Sequence, residues 1–151
     1  MKKLITLTII LSSMFLLTAC NKEKNVEGNL EDLMLKVYEE LPQEETPMML
    51  ENIEVNEENV EYYLGTKIEF EEALARESAT GSIPHSVVLI RTKKNADIEK
   101  IKKEIKENVD PRKWICVGVE DEIIVKNKGN LIILIMTNQG KEKLEKGFDN
   151  L

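Results

Sequence analysis

Two uninterrupted apolar runs constrain the fold of this chain more than any other feature. Residues 86–91 read SVVLIR, and residues 131–136 read LIILIM. Branched aliphatic residues favour β-strands. A run without polar alternation is typical of a central strand covered on both faces, or of a strand with one covered face and a crowded neighbour. The sequence therefore predicts a sheet with a buried middle.

Three further segments are predicted to be strands. Residues 114–119 (WICVGV) and residues 123–125 (IIV) are separated by a short acidic turn. Residues 68–77 are compatible with a strand or a helix. We favour a strand, because the glycine-containing connection at 78–82 would join it to the first apolar run as a hairpin.

Amphipathic spacing predicts helices around this sheet. Apolar residues recur at intervals of three and four over residues 30–41, which end before Pro42, and again over residues 97–109. A short helix is expected after Asn56, and a last helix over residues 138–148. The helix at 97–109 is expected to cross over one face of the sheet.

The order of these elements indicates an α+β fold, because strands joined by short turns follow strands separated by one helix. We expect a single α+β domain over residues 29–151, with a small, mostly antiparallel sheet of four to five strands, an amphipathic crossover helix and terminal helices. Cys116 is expected to be a small buried hydrophobe. The expected core residues are Val87, Leu89, Ile101, Ile105, Ile115, Val117, Ile133 and Ile135.

The first residues of the chain have the layout of a secretory signal, so a signal peptide is expected there. A basic start precedes sixteen uncharged residues, 4–19, which are fewer than the roughly 20 that a membrane-spanning helix needs. The sequence LTAC that ends at Cys20 resembles the lipobox of bacterial lipoproteins. The resemblance implies a signal peptide over 1–19, a lipid on Cys20 and a location outside the cytoplasmic membrane. Residues 20–28 are expected to form a flexible tether. An ordinary signal peptide followed by a chance cysteine, or a transmembrane helix, is the weaker alternative.

The domain itself resembles a family of small lipoproteins of Gram-positive, Firmicutes-type bacteria that is known only as a domain of unknown function. The resemblance covers about residues 30–140 and is most specific over 86–136. It depends on the helix start ADI at 96–98, on NVDPRKW at 108–114 and on the turn at Gly129. It implies a lipid-anchored envelope protein and assigns no catalytic residue.

The chain is acidic, and its charge narrows the classes of partner. The formal net charge is −7, and it becomes −9 when Lys2 and Lys3 are removed with the signal peptide. Nucleic acid is not expected as a partner, because its phosphates require a basic face.

Nine glutamates and no lysine or arginine lie between Val37 and Thr66. A solvated surface is one explanation; the other is an acidic interaction face for a cationic envelope protein or peptide, with Glu39, Glu44, Glu51 and Glu58.

No motif in the chain assigns a reaction or a cofactor. His85 is the single histidine, so a histidine-based metal cluster is not expected. Cations and an indole at a helix-to-strand junction could hold an anionic or sugar-like ligand. The candidate ligand-binding residues are therefore His85, Arg112, Lys113 and Trp114. We favour a non-catalytic binding module. The alternative is a small extracytoplasmic hydrolase or transferase in which His85 activates Ser78, Thr80 or Ser82.

Overall fold

The computed structural model describes residues 24–151, so the predicted signal peptide and Cys20 lie outside the described residues. Among residues 24–151, no helix has the length and apolar character that crossing a bilayer requires. The elements, in chain order, are α1 (Leu30–Tyr38), a 3-10 helix (Gln43–Glu45), β1 (Leu50–Glu54), α2 (Val60–Leu64), β2 (Glu72–Ser78), β3 (His85–Arg91), α3 (Ile98–Asn108), β4 (Ile124–Lys128), β5 (Leu131–Thr137) and α4 (Lys141–Asp149).

The five strands form one sheet in the order β1-β2-β3-β5-β4, and every neighbouring pair is antiparallel. This confirms the predicted α+β fold with a small, mostly antiparallel sheet. Strands β3 and β4 are parallel to each other, because each pairs antiparallel with β5 between them. Helix α3 connects these two strands and is the predicted crossover helix.

The two apolar runs are the middle strands, and all seven residues of both β3 and β5 are buried. Successive side chains of a strand point to opposite faces. Val88 and Ile90 therefore join one hydrophobic cluster, and Val87 and Leu89 join another. Burying such a side chain contributes about 1.5–3 kcal/mol. An uninterrupted apolar run is required here because both faces of the sheet are covered.

Each face of the sheet has its own pair of helices. On the face that we call the α2–α3 face, Leu64 and Ile105 pack against the sheet. On the other, the α1–α4 face, Leu33, Val37 and Phe148 do so. Asn29 caps α1 by accepting a hydrogen bond from the backbone N–H of Asp32 at 2.8 Å.

The prediction of a strand over residues 114–119 is wrong. Cys116 has a φ of +64°, and the segment forms a loop in which Trp114 and Val119 are buried. Ile115 is 77% exposed and Cys116 is exposed, so both were wrongly expected in the core. Strand β5 already pairs on both sides, so the middle of the sheet has no place for this segment.

Strand β1, by contrast, was not predicted, and residues 68–77 contribute to a strand as favoured.

The described part of the predicted tether is attached to the sheet, which differs from the flexible segment expected there. Val26 is buried, and its N–H donates to Asn130 Oδ1 at 3.1 Å. The guanidinium of Arg91, at the end of β3, donates to the carbonyl oxygens of Val26 and Gly28. The chain therefore enters the domain at the Arg91 end of the sheet.

Candidate functional site

Polar side chains cluster at the end of the sheet opposite Arg91, where β3 begins at His85 and β5 ends at Thr137. His85 and Ser86 are neighbours in the chain, but strand alternation sends them to opposite faces. His85 belongs to a neutral cluster on the α1–α4 face with Tyr38 and Thr137. Ser86 belongs to a charged cluster on the α2–α3 face with Lys113.

In the neutral cluster both ring nitrogens of His85 have partners. Nε2 lies 2.6 Å from the Tyr38 hydroxyl, and Nδ1 lies 2.9 Å from Thr137 Oγ1. The Thr137 hydroxyl donates to the Gln139 carbonyl at 3.0 Å, so Nδ1 carries the proton and Nε2 accepts from Tyr38. Burial, followed by the charge of Arg76, lowers the pKa of His85 to about 4. His85 is therefore a neutral packing residue near pH 7.

This geometry does not give His85 a nucleophile to activate. The ring is 0% exposed, and among the described residues neither Ser78, Thr80 nor Ser82 is hydrogen bonded to it. The Ser78 hydroxyl instead donates to the Met48 carbonyl at 3.0 Å. Because a general base must reach the proton that it abstracts, the arrangement does not support the hydrolase alternative.

The charged cluster surrounds the ammonium of Lys113. Lys113 Nζ lies 2.6 Å from Glu77 Oε2, and the two side chains are only 4% and 8% exposed. The same nitrogen lies 3.3 Å from Ser86 Oγ and 4.3, 4.5 and 5.2 Å from three aromatic ring centroids, those of Tyr62, Tyr63 and Trp114. We call the space around the ammonium the lysine chamber; its walls are Glu77, Ser86, Tyr62, Tyr63 and Trp114.

The electrostatics of the lysine chamber keep its groups in defined protonation states. Burial raises the pKa of Tyr62 and of Tyr63 to about 12, and Glu77 adds to both shifts. The Tyr62 hydroxyl therefore stays protonated and donates to Glu77 Oε1 at 3.1 Å. Burial lowers the pKa of Lys113, and the charge and hydrogen bond of Glu77 oppose that shift. Lys113 Nζ donates hydrogen bonds to Glu77 Oε2 and to Ser86 Oγ.

The three candidate residues 112–114 do not form one ligand-binding corner. Arg112 is exposed, whereas Lys113 points into the lysine chamber and Trp114 is 7% exposed. Among the described residues, Trp114 Nε1 has no hydrogen-bond partner. The predicted helix-to-strand junction is in fact a helix-to-loop junction, so adjacent residues have different environments.

The four glutamates expected to form one acidic face lie on different elements. They occupy the end of α1, the 3-10 helix, the edge strand β1 and the turn before α2, and the structure leaves all four exposed: Glu39, Glu44, Glu51 and Glu58. Part of the acidic stretch is neutralised by α4. Lys146 pairs with Glu40 at 2.8 Å, and Lys143 pairs with Glu45.

The structure brings a different set of glutamates together. A cleft of about 750 Å³ lies where β1 ends and β2 begins, towards the Arg91 end of the sheet. Its apolar lining includes Ile68 and Phe70, and Lys93 is the only lysine or arginine among its lining residues. We call it the acidic cleft; its glutamates are Glu31, Glu54, Glu57, Glu69, Glu71 and Glu72. The acidic run at 69–72 was a signal in the sequence, but its place beside Glu54 depends on the pairing of β1 with β2.

Neither a metal centre nor a known relative assigns a function to these sites. Among residues 24–151, no group of three or more histidine, cysteine, aspartate or glutamate side chains is arranged to hold a metal ion. No protein-family model, curated protein or solved structure matches the chain. The resemblance to a lipoprotein family therefore stays a prediction.

Proposed function

We propose that this chain is a non-catalytic binding module, held outside the cytoplasmic membrane by a lipid on Cys20, and that it binds a cationic protein or peptide of the cell envelope. The observation that carries the proposal is the acidic cleft. Of its six glutamates, Glu69 is paired with Lys93 at 3.2 Å and Glu72 with Arg91 at 2.6 Å, which leaves four. The remaining carboxylates supply an electrostatic field that attracts a positive partner.

The composition of the acidic cleft suits lysine and arginine side chains in particular. Long basic side chains bury their aliphatic stems along apolar surface and keep their charged heads in water. The partly buried Ile68 and Phe70 offer such a surface, while exposed carboxylates such as Glu57 and Glu71 meet the heads. Charge complementarity of this kind increases the association rate and selects against acidic partners.

The position of the acidic cleft fits a protein that is tethered at its N-terminus. Asn29 and Leu30 line the cleft, directly after the segment that Arg91 holds. Five residues separate Cys20 from Val26, and the six Cα-to-Cα steps between them span at most about 22 Å. A lipid on Cys20 would therefore keep the cleft near the bilayer, where the effective concentration of other envelope proteins is high.

Two variants with the same change in net charge test the acidic cleft. The first replaces Glu54, Glu57, Glu69 and Glu71 by Gln, and the second, matched variant replaces Glu39, Glu44, Glu51 and Glu58 by Gln. Binding of a fluorescent decalysine peptide is measured by anisotropy at low and at physiological salt. We expect the first variant to lose roughly tenfold or more in affinity, since each buried or well-placed charge contact is worth on the order of 1 kcal/mol, and the second to stay near the wild type.

Equal losses in the two variants would mean that the peptide responds to net charge alone. A loss confined to the second variant would move the site to the surface expected from the sequence. Either result would contradict the acidic cleft as the binding site.

The membrane anchor is tested separately by Cys20→Ser. We expect the wild-type protein in the membrane fraction with the mass of an acylated N-terminal cysteine, and the variant in the soluble fraction without that mass. A variant that stays with the membrane and shows no difference in mass would contradict lipidation.

A further inference from the structure

The two edges of the sheet differ in how far the rest of the fold covers them. At one edge, β4 is half-buried along all five of its residues, and Lys102 of α3 donates to the side chain of Asn127 at 2.7 Å. At the other edge, β1 exposes Glu51, Asn52 and Glu54. Strand β1 is therefore the open edge of the sheet.

The backbone of β1 has hydrogen-bonding groups that point away from the sheet. The Met49 carbonyl accepts a hydrogen bond from the Ala79 N–H at 2.9 Å. Such bonds alternate along an antiparallel pair, so the odd-numbered residues of β1 face β2, and the peptide groups of Leu50 and Asn52 point outwards. Among residues 24–151, neither the N–H nor the C=O of these two residues has a hydrogen-bond partner.

An exposed edge of this kind can accept a sixth strand. An extended peptide that pairs with the edge forms main-chain hydrogen bonds as a strand of the sheet does, and its side chains lie opposite those of the edge strand. Glu51 and Glu54 are three positions apart, so their carboxylates lie on opposite faces of the sheet. Basic residues are therefore favoured on both faces of an added strand.

The charge of β1 also selects against a second copy of this chain as the added strand. Pairing of β1 with β1 would bring the same glutamates together, and charged side chains of one sign protect an edge from such contacts. The lysines of β4 are already engaged, because Lys126 pairs with Glu145 and Asp149, and Lys128 donates to backbone carbonyls of its own chain. An extended basic segment of another protein is the occupant that fits.

We propose that β1 is a docking edge at which an extended basic segment of a partner protein or peptide adds as a sixth strand and continues into the acidic cleft, which begins where β1 ends. This geometry rests on the proposed function, because it concerns the same cationic partner. Main-chain hydrogen bonds to Leu50 and Asn52 then hold the partner in addition to the attraction between charges.

Two variants at one position test these main-chain hydrogen bonds. Asn52→Pro and Asn52→Ala both remove the side chain that accepts from Arg76 at 2.8 Å, but only proline removes the outward N–H. Proline is tolerated on an edge strand where its nitrogen faces solvent. In the anisotropy assay we expect Asn52→Pro to bind decalysine roughly fivefold more weakly than Asn52→Ala, with both variants folded by circular dichroism. Equal affinities would overturn strand addition.

N-methylation of the peptide tests the same bonds in the wild-type protein and does not depend on the folding of a variant. Decalysine methylated at every second backbone nitrogen keeps one hydrogen-bonding edge, whereas decalysine methylated at every backbone nitrogen keeps none, and the two carry the same charge. We expect the fully methylated peptide to bind roughly fivefold more weakly than the alternately methylated one. Equal affinity for these two peptides would overturn strand addition.

The same measurements separate this geometry from the proposed function. If the Gln variant of Glu54, Glu57, Glu69 and Glu71 weakens binding while both comparisons give equal affinities, the acidic cleft is the site and strand addition is overturned. If the wild-type protein does not bind decalysine at all, both proposals are overturned.

Discussion

The neutral cluster and the charged cluster lie on opposite faces of the same end of the sheet. Each contains one buried titratable side chain, His85 in the neutral cluster and Lys113 in the charged cluster, and the two side chains have different kinds of partner. His85 is kept uncharged, and its partners Tyr38 and Thr137 come from a helix and a strand. Lys113 is kept charged, and a carboxylate and aromatic rings surround it. The neutral His85 needs only hydrogen-bond partners, whereas Lys113 and Glu77 depend on each other, because either charge would be buried without compensation if the other were removed.

The largest expected difference between the two clusters comes from Lys113→Ala. We expect the free energy of unfolding to fall by about 3–5 kcal/mol, because Glu77 is left buried without its partner. Replacing both members, by Lys113→Met with Glu77→Leu, should cost less than the single change, since no charge then remains buried. Urea unfolding measures all three proteins. A double variant less stable than Lys113→Ala would contradict the account of the charged cluster.

The pH dependence of stability should report the neutral cluster. The pKa of His85 is lowered from 6.5 to about 4 in the folded state. The unfolded state therefore binds a proton first as the pH falls, and stability is lost between about pH 6.5 and pH 4. The full loss is roughly 3 kcal/mol. Urea unfolding at several pH values above 4.5, where most carboxylates remain charged, measures the slope.

The control for this slope is His85→Gln, which removes the titrating group at that position. This variant should be less stable at pH 7 but should lose little more between pH 6.5 and pH 4.5. A slope as steep as that of the wild type would assign the pH dependence to other groups.

The smallest expected effects come from two matched tyrosine variants, one in each cluster. Tyr38→Phe removes the hydrogen bond to His85 Nε2 and leaves that buried nitrogen without a donor, so it should cost about 1–2 kcal/mol. Tyr62 is 49% exposed and its bond to Glu77 is longer, at 3.1 Å, so Tyr62→Phe should cost less than about 1 kcal/mol. Chemical denaturation compares the two. The reverse order would show that the charged cluster depends on its tyrosine more than the neutral one does.

The parts of the fold that were predicted correctly are those with strong local patterns. The apolar runs became β3 and β5, and the stripe over residues 97–109 became α3, which begins at the Asp97 cap. The segment at 114–119 had the composition of a strand but became a loop, because Trp114 and Val119 bury themselves without any strand partner. Composition indicates which residues tend to be buried, but a segment forms a strand only if another strand is free to pair with it.

In the candidate site, the sequence indicated single residues, and only the structure showed which distant residues they contact. The sequence identified His85 and Lys113 as unusual, but their partners lie 47 residues away at Tyr38 and 36 residues away at Glu77. The acidic stretch was visible in the chain, but Lys143 and Lys146, which neutralise part of it, come from the last helix.

The sequence by itself determined the buried middle of the sheet, the amphipathic helices and the acidic character of the chain, because periodicity and charge are properties of neighbouring residues. Only the tertiary structure decided that His85 is neutral, that Lys113 is enclosed and that the glutamates of the acidic cleft meet. Burial and ion pairing depend on groups that approach across strand pairs and from distant helices. The electrostatic energy falls with distance in space and is insensitive to separation along the chain.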